Sequence, residues 1–155
     1  MTARTFTLVM PIARLINSNQ REHWAPRAAK TREMRETARI KARGLAPIDG
    51  PAELTVTFAF PDRRRRDLDN YSIKAAIDGA VDAHVIADDR STVLRNVTRI
   101  PAQECSPKGC VVMVFEFTPS VGGTVANGTI GRSEKDGPRL VTGGLTAKTV
   151  GGLDG

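Results

Sequence analysis

Residues 53–90 read ELTVTFAFPDRRRRDLDNYSIKAAIDGAVDAHVIADDR. Three patterns follow one another here. Leu54, Val56, Phe58 and Phe60 alternate with Glu53, Thr55, Thr57 and Ala59, the period of a half-buried strand, and Pro61 ends it. Four arginines, Arg63 to Arg66, then run into Asp67-Leu68-Asp69. Beyond them Ile73, Ala76, Ile77, Ala80 and Val81 recur at helical spacing. This predicts a short amphipathic helix over 70–84, with Asp69 or Asn70 as its N-cap. Asp88-Asp89 follows. The densest positive charge thus abuts the most closely spaced carboxylates, at the junction of a strand and a helix.

The flanking sequence supplies the rest of a fold. Thr5 to Met10 alternates loosely and reads as a strand, and INSNQREHWAPR reads as a loop. Pro26 suits the first turn of a helix running to about Arg43 and closed by Gly44. Met34, Ala38, Ala42 and Leu45 share its apolar face. Val93 to Ile100 and Val111 to Phe117 read as strands, and ECSPKGC between them reads as a hairpin turn. The expected order is β-α-β-α-β-β: an α+β domain with a mixed sheet and two main helices. That domain spans 1–118. Residues 119–155 hold ten of the fourteen glycines and no aromatic residue, a composition that buries too little surface to offset its ordering entropy and is expected to be mostly disordered.

Composition narrows the function classes. A chain of 155 residues suits one domain. No apolar run approaches the ~20 residues that span a bilayer, and MTARTFTLVMPIAR suits an opening strand better than a signal peptide, so a cytoplasmic protein is expected. The net charge of +6 and pI near 9.9 favour an anionic partner, nucleic acid being the commonest. Cys105 and Cys110 are too few for a disulfide framework and have no neighbouring pair for zinc, so reduced thiols are expected. On the first helix Arg27, Lys30, Arg32, Arg35, Arg39, Lys41 and Arg43 oppose only Glu33 and Glu36. A solvated face is the plain reading, but the excess makes Arg32, Arg35 and Arg39 candidates for phosphate contact.

In an extended stretch, residues i and i+2 point the same way, so Asp67 and Asp69 can converge. If the chain folds back after the helix, Asp88 or Asp89 can join them. Three carboxylates in one place repel unless a cation is present, and hard oxygen ligands suit Mg²⁺ or Mn²⁺. Such ions serve phosphoryl chemistry. Lys74 could neutralise charge on the phosphate, and Arg63, Arg64, Arg65 and Arg66 could hold neighbouring phosphates. Plainer readings stand beside these. A D-x-D alone commonly marks a turn or cap. Lys74 and Asp78 could be an i,i+4 ion pair, and Asp88-Asp89 could simply end a helix. Asp62 and Asp82 are expected in solvent and His84 in packing. Trp24 is expected to bury against the first helix, with stacking on a base as the lesser alternative. The aspartate pairs of haloacid-dehalogenase-like phosphatases and of D-x-D glycosyltransferases belong to longer chains.

PDRRRRDLDN, KAAIDG and ADD together resemble the RusA family of Holliday junction resolvases of phages and prophages. The resemblance follows element order over residues 5–118 and is tight over 61–90. It implies a Mg²⁺-dependent endonuclease, with Mn²⁺ as a possible substitute, acting as a homodimer on four-way or branched DNA in recombination and repair. It implies no small-molecule cofactor. It also implies that Asp67, Asp69 and Asp89 are the catalytic, metal-binding aspartates and Lys74 the catalytic lysine. This chain has one residue more between Asp69 and Lys74 than the best-known members, and its INSNQREHW loop differs from theirs. The alternatives are a DNA-binding protein without catalysis and a nuclease for other DNA structures.

Overall fold

The computed structural model describes residues 2–121. In chain order it contains β1 (Arg4–Pro11), a 3-10 turn (Ile12–Arg14), α1 (Trp24–Ala42), β2 (Ala52–Ala59), a second 3-10 turn (Leu68–Asn70), α2 (Lys74–Asp82), β3 (Leu94–Pro101) and β4 (Cys110–Pro119). The protein is α+β, with the expected order of elements. The glycine-rich segment expected to be disordered lies, from residue 122, outside the described residues.

The four strands form one mixed sheet in the order β1-β4-β2-β3. β4 runs antiparallel to both β1 and β2, while β2 and β3 are parallel. The expected β3–β4 hairpin is therefore incorrect, because β2 lies between the two strands. Alternation reveals a strand but not its partner. Burial supplies the reason for the observed order. Leu94 alone is buried on β3, whose other residues are polar or at least partly exposed, as suits an edge strand. β4 buries Val111, Met113, Phe115 and Phe117, and it also carries Val112 and Val114 on its other face, so it takes an interior place. ECSPKGC instead passes the end of β2, where the Ser106 N–H donates to the Phe60 carbonyl at 2.9 Å.

The helices cover one face of the sheet. Phe6, Leu8 and Met10, Leu54, Val56 and Phe58, and the four buried residues of β4 meet Met34, Ala38 and Ala42 of α1 and Ala76, Ile77 and Ala80 of α2 in one core. Phe6 stacks on Phe115 with ring centroids 5.0 Å apart. The face of α1 read from the sequence is the buried one, with Leu45 packed at its edge. Two other readings change. Trp24 does not pack inward but is 74% exposed. His84 is exposed too, at φ 62°, where it reverses the chain after α2.

The second helix is shorter than its periodicity suggests. It begins at Lys74, behind Ile73, with no side-chain cap. Beyond the 3-10 turn, residues 71–72 are tied to the N-terminal loop: Asn17 bridges Tyr71, Ser18 N–H donates to Asn70 O at 2.7 Å, and Ser72 N–H donates to Ile16 O at 2.9 Å. Backbone groups engaged in this way cannot join a helix ladder.

α1 and α2 touch at a glycine. A Cβ on Gly79 would lie 2.4 Å from the Arg35 carbonyl oxygen, 2.7 Å from the Ala38 Cβ and 2.9 Å from the Arg39 nitrogen. Two of those atoms are backbone and cannot swing aside. Gly79→Ala would gain about 1 kcal/mol of helix propensity, but overpacking costs about 1–3 kcal/mol or more. We expect a net loss of stability and a thermal midpoint several degrees lower. A Gly79→Ala protein as stable as its parent in thermal unfolding would contradict the close helix approach.

Candidate active site

The crossover from β2 to β3 contains every carboxylate that the sequence singles out. It leaves the sheet through an anchored arginine. Arg66 donates to Asp62 through both terminal nitrogens, at 2.7 and 3.1 Å, and its guanidinium lies 4.3 Å over the Phe60 ring. The Arg64 N–H also donates to Asp62, at 3.0 Å. Asp62, expected to be solvated, therefore organises the turn. The Arg66 hydrogen bond, helped by the Arg64 amide, holds its carboxyl down at about 2. Arg66 is thus a structural residue first. Arg63, Arg64 and Arg65 are exposed, and among the described residues Arg63 and Arg65 have no carboxylate partner.

The next turn carries the D-x-D pair. Asp67 caps the 3-10 turn, accepting the Asp69 N–H at 3.1 Å, so the plain reading of this motif as a cap is realised. Asp69 extends into solvent, its side chain 81% exposed, and meets the Arg99 guanidinium loosely at 3.5 Å. Arg65, Arg66, Asp67, Leu68, Asp69 and Arg99 line an open cleft of about 580 Å³. Arg99 was not singled out by its sequence. The signal that could have found it is the parallel pairing of β2 with β3, which sets Arg99 beside Val56 and so near the end of β2 from which the aspartates issue.

The far end of the crossover does fold back. Asp89 accepts a hydrogen bond from Lys74, fifteen residues earlier, and Lys74 also donates to Asp78 at 2.9 Å, the i,i+4 pair foreseen as an alternative. The hydrogen bond to Asp89, then that to Asp78, raises the Lys74 pKa, and the same ammonium lowers that of Asp89, with Asp88 contributing next. Asp88 accepts the Asp89 N–H at 2.7 Å and holds Arg90 at 2.8 Å.

Lys74 and Asp89 are thus brought together, as are Asp67 and Asp69, but the two groups are not joined. Among the described residues no three His, Cys, Asp or Glu side chains gather as a metal site. The donors are of the hard-oxygen type that Mg²⁺ prefers. Their arrangement does not fit a bound ion, because Asp89 is engaged by Lys74 and Asp69 faces Arg99.

Two of the three helix arginines expected at phosphate are already paired. Arg35 grips Asp82 at 2.6 and 2.9 Å, which also removes Asp82 from the solvated class, and Arg39 grips Glu36 at 2.6 and 3.0 Å. Arg32 has no such partner among the described residues. Cys105 and Cys110 are free thiols. No helix among the described residues is long and apolar enough to cross a membrane.

No protein-family model matches the chain, and no curated protein is significantly similar to it.

The Asp62 anchor makes a testable pH signature. Its folded pKa of about 2 lies below the ordinary 3.8. Its contribution to stability is therefore complete above the unfolded value and is lost as the pH falls through the folded one. We expect the Asp62 carboxyl ¹³C shift to titrate near 2 and to move up toward 3.8 in Arg66→Gln. An Asp62 that titrates at its ordinary value in the parent would break this account of the turn.

Proposed function

We propose that the protein is a metal-dependent endonuclease that cleaves phosphodiesters in branched DNA, four-way junctions first among them, as a homodimer in the cytoplasm of a bacterial or phage-infected cell. The observation that carries the reading is the return of Asp89 to Lys74 across fifteen residues. It occurs in a chain whose other two selected carboxylates share a cleft with Arg65 and Arg99. The resemblance of residues 61–90 to RusA-type resolvases supports the same reading.

The residues have complementary parts to play. Arg63, Arg65 and Arg99 supply positive charge for phosphate oxygens, which gives salt-sensitive affinity indifferent to sequence. Lys74 presents an exposed ammonium that can stabilise charge gathering on a phosphoryl oxygen. Asp67 and Asp69 orient the reacting groups, and Asp89 holds Lys74 in place. Mg²⁺, or Mn²⁺ in its stead, enters the proposal through the resemblance alone, and no step is derived through it.

A second reading has one observation in its favour. The three aspartates are not assembled, which suits a junction-binding protein that does not cut.

Incubating the protein with synthetic four-way junction, flap and linear duplex DNA in Mg²⁺ or Mn²⁺ separates these readings. We expect paired nicks in the junction. Asp69→Asn should lower cleavage by about 100-fold or more and leave junction affinity equal or tighter, since it removes a negative charge near phosphate. Binding without nicking in either metal selects the second reading. Preferential cutting of flaps or duplex leaves a nuclease with another substrate. Full activity of Asp69→Asn removes that residue from the mechanism.

A further inference from the structure

Trp24 is the chain's single tryptophan and one of its most exposed apolar residues, at 74%. A lone exposed ring needs no explanation, but this one has organised company. Trp24, Arg27, Ala28, Thr31, Arg32 and Arg35 line a depression of about 560 Å³ along one stripe of α1. Ala28 and Thr31 are short, which leaves a depression between the longer side chains of the stripe. The cations beside it are unevenly committed. Arg35 is bound to Asp82 and Lys30 to Glu22, whereas Arg27 and Arg32 have no ion pair among the described residues. The stripe therefore offers an open aromatic face with two uncommitted guanidinium groups.

We propose that Trp24, Arg27 and Arg32 form a second DNA contact, in which an unpaired base stacks on the indole and its flanking phosphates meet the two arginines. This rests on the DNA reading above and adds to it a site and a substrate feature. Indole has no acceptor and one donor, so its recognition of DNA is through its face, and every base presents a matching one. A base inside a duplex is already stacked on both sides. An unpaired base, as at an open branch point, is not. The two cations require an anionic occupant, and a nucleotide supplies both the ring and the charge.

The contact is separate from the reacting groups. Asp82 lies against Arg35, and Gly79 lies against Arg35 and Ala38. The helices are therefore antiparallel, and Lys74 lies toward the C-terminal end of α1. Trp24 sits at the other end of the pair, so it serves binding rather than the cleavage step.

Because there is one tryptophan, its fluorescence reports on this ring alone. The test titrates the full-length protein with an oligo-dT single strand, an open-centred four-way junction and a blunt duplex, following tryptophan emission and the anisotropy of labelled DNA together. The single strand and the junction should quench emission, while the duplex should bind by anisotropy with little quenching. Trp24→Ala should bind the single strand roughly tenfold more weakly, with duplex affinity and melting temperature unchanged, and Trp24→Phe should keep most of the affinity. Binding by anisotropy with unmoved emission and a parent-like Trp24→Ala would overturn the stacking site and leave the DNA reading standing. No binding to any DNA would remove both. A Trp24→Ala protein that sediments as monomer where the parent is a dimer would make the ring a protein contact and overturn the proposal.

Discussion

β2 and β3 lie side by side and parallel, and parallel neighbours cannot be joined by a tight turn. The chain must leave the end of β2, travel back along the sheet and start again. That constraint creates the segment 60–93, and the segment holds the chemistry. Its exit is pinned by Asp62, Arg66 and Phe60. Its middle is α2, pressed onto α1 through Gly79. Its return brings Asp89 to Lys74 at the start of the same helix. The four aspartates at its two ends are exposed or half-buried, so the fold presents them outward while the apolar stripe of α2 fills the core.

The apparent charge conflict resolves into a division of labour. One arginine of the run, Arg66, is used to shape the turn. Arg63 and Arg65 have no carboxylate partner among the described residues, and Arg99 arrives from the neighbouring strand to face Asp69. The same pattern holds on α1, where Arg35 and Arg39 are paired while Arg27 and Arg32 have no ion pair among the described residues. Exposed pairs of this kind add little to stability. Their effect is to fix which cations remain open to an anionic partner, and in what direction.

Much of the fold was legible because periodicity is a local property. The alternation of 54–60 and 111–117 and the helical recurrence of Met34, Ala38 and Ala42 each became the element expected. The errors share a different cause. The β3–β4 hairpin failed because pairing is decided by which edges are buried, which no single strand records. The start of α2 differs from the periodicity because Asn17 and Ile16, more than fifty residues away, hold Tyr71 and Ser72 out of the helix. At the site, the return of Asp89 follows from the crossover and could be anticipated from the segment's length. Arg99 could not, since it depends on the parallel pairing. Packing is the leading expectation for Trp24, as for most tryptophans, but α1 turns it to solvent, which leaves the lesser reading, stacking on a base, open.

The central claim is that both ends of the crossover face the DNA. The most direct measurement is the change in backbone amide shifts of ¹⁵N-labelled protein titrated with a four-way junction. The amides of 67–69 and of 88–89 should shift together, at the same junction concentration. Shifts in one stretch without the other, or in neither, would contradict the claim.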